Sequence, residues 1–210
     1  MTEPGKVTRS SAAWDAAGAG RVARQRVAQP NGWWGMALFL CAEVTLFGTL
    51  MASYFYLDFD AHRWPPAGIR PPSVVLPLLA TGVLVAMSVP MWLAARAARE
   101  GRRRRVLGLV ALVLVVQCGY LALQVLLFAH DYNDFKPQAS AYGSIYFTML
   151  AAHHAHVLLG ILLDAGVLAF VSLRGLTDYW LIGTRGLALY WHVVNAVAVV
   201  VVLTQLSPSL

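Results

Sequence analysis

The stretch Val106–Ala129, VLGLVALVLVVQCGYLALQVLLFA, decides the fold. It is 24 residues long and mostly apolar. A helix needs about 20 such residues to cross roughly 30 Å of hydrocarbon. Four more segments pass the same test: Trp33–Leu57 (25 residues), Val74–Ala95 (22), Ile145–Val171 (27) and Leu187–Leu206 (20). The connections between them are too short to hold a second domain. The runs are continuous, without the alternation over about ten residues that a spanning β-barrel shows. The expected fold is therefore all-α, a polytopic membrane domain of five transmembrane helices over residues 33–206.

Composition agrees with that reading. Of 210 residues, 59% are hydrophobic and 12% charged, with a mean hydropathy of +0.61. Soluble domains lie nearer 45–50% apolar and about 25% charged. A disordered chain, a disulfide-rich module and an ordinary soluble enzyme are thereby excluded. Cys41 and Cys118 lie inside apolar runs and form no paired motif, so they carry no redox information.

The net charge of +6 would point to nucleic acid in a soluble protein. Here the basic residues fall between the apolar runs. One side holds 13 of them: Lys6, Arg9, Arg21, Arg24, Arg26, Arg96, Arg99, Arg102, Arg103, Arg104, Arg105, Arg174 and Arg185. The other holds 3: Arg63, Arg70 and Lys136. The positive-inside rule then puts the N-terminus in the cytoplasm and the C-terminus outside. Residues 1–32 are polar and Arg-bearing with no apolar h-region, unlike a signal peptide. They read as a mobile cytoplasmic tail, with Trp33 and Trp34 at the interface. The run Arg102–Arg105 suits acidic lipid headgroups, and equally a stop signal for translocation. Pro65, Pro66, Pro71 and Pro72 stiffen the first outer connection. Pro90 removes a backbone donor and is expected to kink the second helix near its cytoplasmic end.

Ionisable groups at membrane depth cost at least about 2.5–3.5 kcal/mol, so they need partners or a purpose. Glu43 has no basic residue within a helical turn. It reads either as a proton-relay carboxyl or as a neutral carboxyl tying two helices. The tie is preferred, because one carboxyl makes no relay. The fourth helix carries His153, His154, His156 and Asp164. His153 and Asp164 are three turns apart and share a face, and Gly160 would let another helix approach closely. H-x-x-H alone is a weak metal signal, and histidines bonded to facing helices are preferred. In the fifth helix, Tyr190 and Trp191 fit an interface belt. His192 and Asn195, three residues apart, are expected to face the His153/His156 side or Glu43. His153, His156, Asp164, His192 and Asn195 thus form the expected interhelical polar cluster. Gln117, Tyr120 and Gln124 make a polar stripe in the third helix, read first as helix packing. No nucleophile–base pair or phosphate loop is apparent, so no catalytic residue and no metal ligand is assigned.

Three motifs bring a family into view. Trp33-Trp34-Gly35-Met36, followed by Ala42-Glu43-Val44 and Phe47, resembles a helix of subunit III of haem-copper respiratory oxidases. Ser140-Ala141-Tyr142-Gly143-Ser144, then His153, His156, Val157 and Gly160, resembles that family's H-G-x-H-V-x-x-G helix. Tyr190-Trp191-His192-Val193-Val194 resembles its last-helix Y-W-H-F-V-D signature. The motifs stand in the family's order over roughly residues 30–206, and five helices match its short bacterial form.

The resemblance implies a subunit without haem or copper of its own, those cofactors residing in the partner catalytic subunits. Subunit I would be the main contact and subunit II a second, with no nucleic acid. It implies bound phospholipid in a cleft between a two-helix and a three-helix group, with Trp33, Trp34, Tyr190 and Trp191 as cleft or interface candidates. It implies support of proton uptake through Glu43, longer catalytic life, and residence in a bacterial plasma membrane. Three positions depart from the family: His154 stands where Gly is usual, Asn195 where Asp is, and Ala198 where Trp is common. A quinol-oxidase or nitric-oxide-reductase relative therefore stays open. A small transporter or proton channel has the intramembrane ionisable residues in its favour but no inverted repeat. A di-metal or dihaem oxidoreductase is the third alternative.

Overall fold

The computed structural model describes residues 31–69, 75–175 and 178–209. The expected N-terminal tail, apart from its last two residues, lies outside them. So do Arg70, Pro71 and Pro72 of the first connection. Among the described residues there is no strand. In lipid the backbone must satisfy its hydrogen bonds within the segment, so continuous apolar runs become helices. These are α1 (Asn31–Asp60), α2 (Val75–Ala86), α3 (Ser88–Arg99), α4 (Arg103–Asp134), α5 (Ala141–Arg174) and α6 (Asp178–Leu206). Short 3₁₀ turns cover Pro137–Ala139 and Ser207–Ser209. Helices α2 and α3 form one span, so among the described residues five helices are long and apolar enough to cross a membrane. The chain is an all-α, multi-pass membrane protein.

The helices outrun their apolar runs. Helix α4 has 32 residues, which at 1.5 Å per residue is about 48 Å, well beyond the hydrocarbon. Its extra turns carry Arg103–Arg105 at one end and Asp131 and Asp134 at the other.

The second span is interrupted at Met87, between α2 and α3. Pro90 is the cause, but the break sits at mid-span rather than near the end. Proline acts one turn back, where its ring crowds the carbonyl of the residue four before it, here Ala86. Met87 N–H divides between the Val83 carbonyl at 3.3 Å and the Leu84 carbonyl at 3.1 Å, the second a tighter turn three residues back.

Helix α5 starts in a compact turn. The Ser140 hydroxyl accepts from Gly143 N–H at 3.0 Å, and the Ser144 hydroxyl donates to the Pro137 carbonyl at 2.6 Å. A Cβ on Gly143 would lie 2.7 Å from the Lys136 carbonyl, so only glycine fits. The Ser140–Ser144 motif is thus a helix-starting device.

Helix α6 is the most enclosed span and α1 the least. Helix α1 packs mainly on α5 and α6, while α2 and α3 pack on α4 and α6. Helix α4 lies against α3 and α5. The contacts therefore depart from a two-helix group facing a three-helix group. The first two spans sit on different sides of α6, whose buried Leu187, Ala188, Val194 and Ala198 belong to the central apolar cluster. A second cluster, rich in aromatic side chains, joins Phe47, Tyr54, Tyr142, Tyr146 and Phe147. Trp64 from the first connection packs edge-on to Tyr54 and Tyr142 there, at ring separations of 5.3 and 5.0 Å. Large apolar side chains such as Leu38, Phe59, Val115 and Leu173 point outward. In water they would be an aggregation liability; in a membrane they face lipid or a partner.

Candidate functional site

Glu43 and His156 come from helices 113 residues apart and meet at 2.5 Å, carboxyl oxygen to Nε2. Both side chains are largely enclosed, 19% and 14% exposed. The other imidazole nitrogen, Nδ1, lies 2.6 Å from the Ala152 carbonyl. A carbonyl only accepts, so Nδ1 carries the proton. One further proton is then shared between Nε2 and the Glu43 carboxyl. Whichever atom holds it, the pair is net neutral, which removes most of the cost of two charges in a low-dielectric layer. Phe47 stands edge-on to the imidazole at 5.2 Å. The Tyr190 hydroxyl donates to the His156 carbonyl at 2.6 Å. Three helices, α1, α5 and α6, therefore meet at this point.

His153 is separate from this pair. Its Nε2 lies 3.2 Å from the Tyr120 hydroxyl, which also accepts from the Gln124 amide at 2.8 Å. The stripe Gln117, Tyr120 and Gln124 is buried and faces α5 through Tyr120. His154 packs edge-on against Phe128 at 6.1 Å.

Asp164 is fully buried, and one of its oxygens accepts from the Trp191 indole N–H at 3.1 Å. A side chain on Gly160 would overlap the Trp191 ring. The glycine admits the indole, and the indole reaches the carboxyl four residues further along α5. Tyr190 and Trp191 are thus interior pins rather than surface belt residues. An aromatic near a helix start looks alike in sequence whether it faces lipid or core; here the polar tips have internal partners. Trp34 is exposed and Trp33 half-buried, edge-on to each other at 5.0 Å.

Asn195 turns towards the interrupted span. Its amide donates to the Leu84 carbonyl at 3.2 Å and to the Ser88 hydroxyl at 2.7 Å. His192 does not join it and is exposed. Three residues at 100° each leave the two side chains about 60° apart, and the edge of the buried face falls between them. The five residues expected to form one cluster are therefore distributed among separate contacts. Of the five, His156 alone meets an acidic side chain from another helix among the described residues, Glu43. Of the pairing partners, Trp191 was expected at the cleft or interface and Tyr120 in a packing stripe, neither within the polar cluster, and Ser88 was not singled out. For Ser88 the signal was present, since a serine two residues before an intramembrane proline lies where backbone bonds are disturbed. Among the described residues no three metal-ligating side chains come together.

The family model for cytochrome c oxidase subunit III matches residues 21–206. Cytochrome c oxidase subunit 3 of Coturnix japonica is 28% identical, over 78% of this chain and 64% of that protein. The Dugong dugon protein of the same name is 31% identical with the same coverage. Quinol oxidase subunit 3 of Bacillus subtilis is 29% identical, over 78% of this chain and 80% of that protein. The aligned region thus spans less than two thirds of the first two relatives' length.

Proposed function

The chain belongs to the cytochrome c oxidase subunit III family, and from that premise we propose that it is the non-catalytic third subunit of a proton-pumping haem-copper terminal oxidase. The observation that carries this reading is the extent of the match. Residues 21–206 take in all five spanning helices. Subunit I is its principal neighbour and subunit II a second, and those partners hold the haem and copper. The complex resides in a bacterial plasma membrane, with this chain's N-terminus in the cytoplasm, in keeping with the 13-to-3 distribution of basic residues.

Within this reading the chain stabilises the catalytic subunit, holds lipid and supports proton uptake. Support for the last role comes from the Glu43–His156 pair, which shares one proton at a junction of three helices. Moving that proton between Nε2 and the carboxyl keeps the pair net neutral, and passing it on leaves one negative charge that a further proton must restore. A quinol rather than cytochrome c as electron donor is the second reading. It is favoured by the relative named a quinol oxidase subunit, which this chain covers over 80% of its length.

The test is turnover endurance. Catalytic subunits prepared without this chain should reduce oxygen at first and then lose activity sooner under sustained turnover. Adding the chain back should restore endurance. An oxidase whose endurance is the same with and without it would overturn the reading.

A further inference from the structure

At the end of the bundle where α3 gives way to α4, the chain reverses through Gly101, whose φ of +68° belongs to the left-handed region. The reversal places two helix ends side by side and leaves a groove of about 550 Å³ between them. Its upper wall carries Arg96, Arg102, Arg105 and Glu100, and its lower wall Leu93, Ala97 and Leu109. We propose that this groove is a binding site for an anionic phospholipid, with the phosphate among the arginines and an acyl chain along the apolar wall.

Charge is the first argument. Three guanidinium groups face one carboxylate. Glu100 divides its two oxygens between Arg96, at 3.3 Å, and Arg102, at 3.1 Å. Arg105 has no carboxylate partner among the described residues. The Arg96 and Arg102 side chains are 58% and 54% exposed, and ion pairs of that kind are worth about 0–1 kcal/mol. They are weak enough to be redirected to a phosphate, which a guanidinium binds through two parallel hydrogen bonds. Arg103 is not available for this. Its guanidinium donates to the Val171 and Ser172 carbonyls.

Depth and shape are the second argument. The groove lies where the spans Val75–Arg99 and Arg103–Ala139 end and begin, at the level of headgroups. Below it the apolar track continues at helical spacing. Val89 and Leu93 lie on α3, and Leu109 and Leu112 on α4; Val89, Leu93 and Leu112 are among the exposed large apolar side chains. A free phosphate would use only the upper half of the groove, whereas an amphiphile uses both halves. The site does not depend on which complex the chain joins.

The experiment uses the full-length chain in nanodiscs of phosphatidylcholine with about one fifth phosphatidylglycerol, a content comparable to an anionic leaflet. Native mass spectrometry after release counts the retained lipid. Phosphatidylglycerol should be retained in preference to phosphatidylcholine. Each of R102A and R105A should reduce its retention about fivefold, the effect of one arginine near an anionic surface. Glu100→Gln, which frees two arginines, should increase it, and this gain cannot arise from misfolding. Arg185→Ala, a basic residue away from the groove, should leave it unchanged. Equal retention of the two lipids would overturn the proposal, as would retention unaffected by the arginine variants. Inorganic phosphate displacing the lipid completely would mark a free-anion site instead. Loss of the lipid when the chain is isolated with its partner subunits would mark a protein interface.

Discussion

Glu43 and His156 each have a defined partner, and the two are not equally replaceable. Because His156 Nδ1–H is committed to the Ala152 carbonyl, Nε2 can accept. A glutamine at 43 can donate an N–H to it and keep a neutral hydrogen bond. Glu43→Gln should therefore leave assembly and initial oxygen reduction nearly unchanged, with any deficit appearing in turnover-dependent inactivation. His156→Ala removes the imidazole that an enclosed carboxyl is bonded to and should lower stability by about 1–3 kcal/mol. Thermal unfolding of the two variants in the same detergent checks the contrast, and equal losses would refute it. Glu43 was legible in the sequence as a carboxyl needing a partner, because charge at membrane depth is costly. The identity of that partner was not legible. It lies 113 residues away, and the spacing within α5 offers His153, His154 and His156 alike. Facing helix surfaces, rather than local spacing, make that choice.

The interruption between α2 and α3 shows how one element depends on another. Pro90 disturbs the backbone around residues 84–88, and α6 repairs it through Asn195, whose amide supplies both donors. A carboxylate at 195 would set an acceptor against the Leu84 carbonyl. The asparagine that stands here in place of the family's usual aspartate is therefore fitted to this broken span. Asn195→Asp should lower stability by about 1–3 kcal/mol, measured by thermal unfolding; an unchanged midpoint would contradict this account of the contact. At the end of the bundle where α4 begins, Arg103 closes the C-terminal turn of α5 by donating to the Val171 and Ser172 carbonyls. Arg103→Ala should increase amide exchange across residues 171–175 while leaving the middle of α4 protected. The proline was readable as a helix breaker. Where the break fell, and which helix answered it, depended on packing.

For the whole molecule, five spans were legible because lipid imposes one requirement, an uninterrupted internally bonded helix, that composition alone reveals. Their arrangement was not. All five apolar runs look alike, and α6 became the centre because small and β-branched residues such as Ala188, Val194 and Ala198 let neighbours approach on several sides. Tyr190 and Trp191 followed it inward for the same reason. The account rests on the claim that these buried polar contacts serve cohesion and docking beside a redox-active partner. The most direct test is to isolate the tagged full-length chain from its native membrane under mild conditions and record a reduced-minus-oxidised spectrum. Haem bands should accompany the intact complex and stay with the partner subunits when this chain is stripped away. Bands that remain with the stripped chain, or a preparation in which no haem protein accompanies it, would contradict the account.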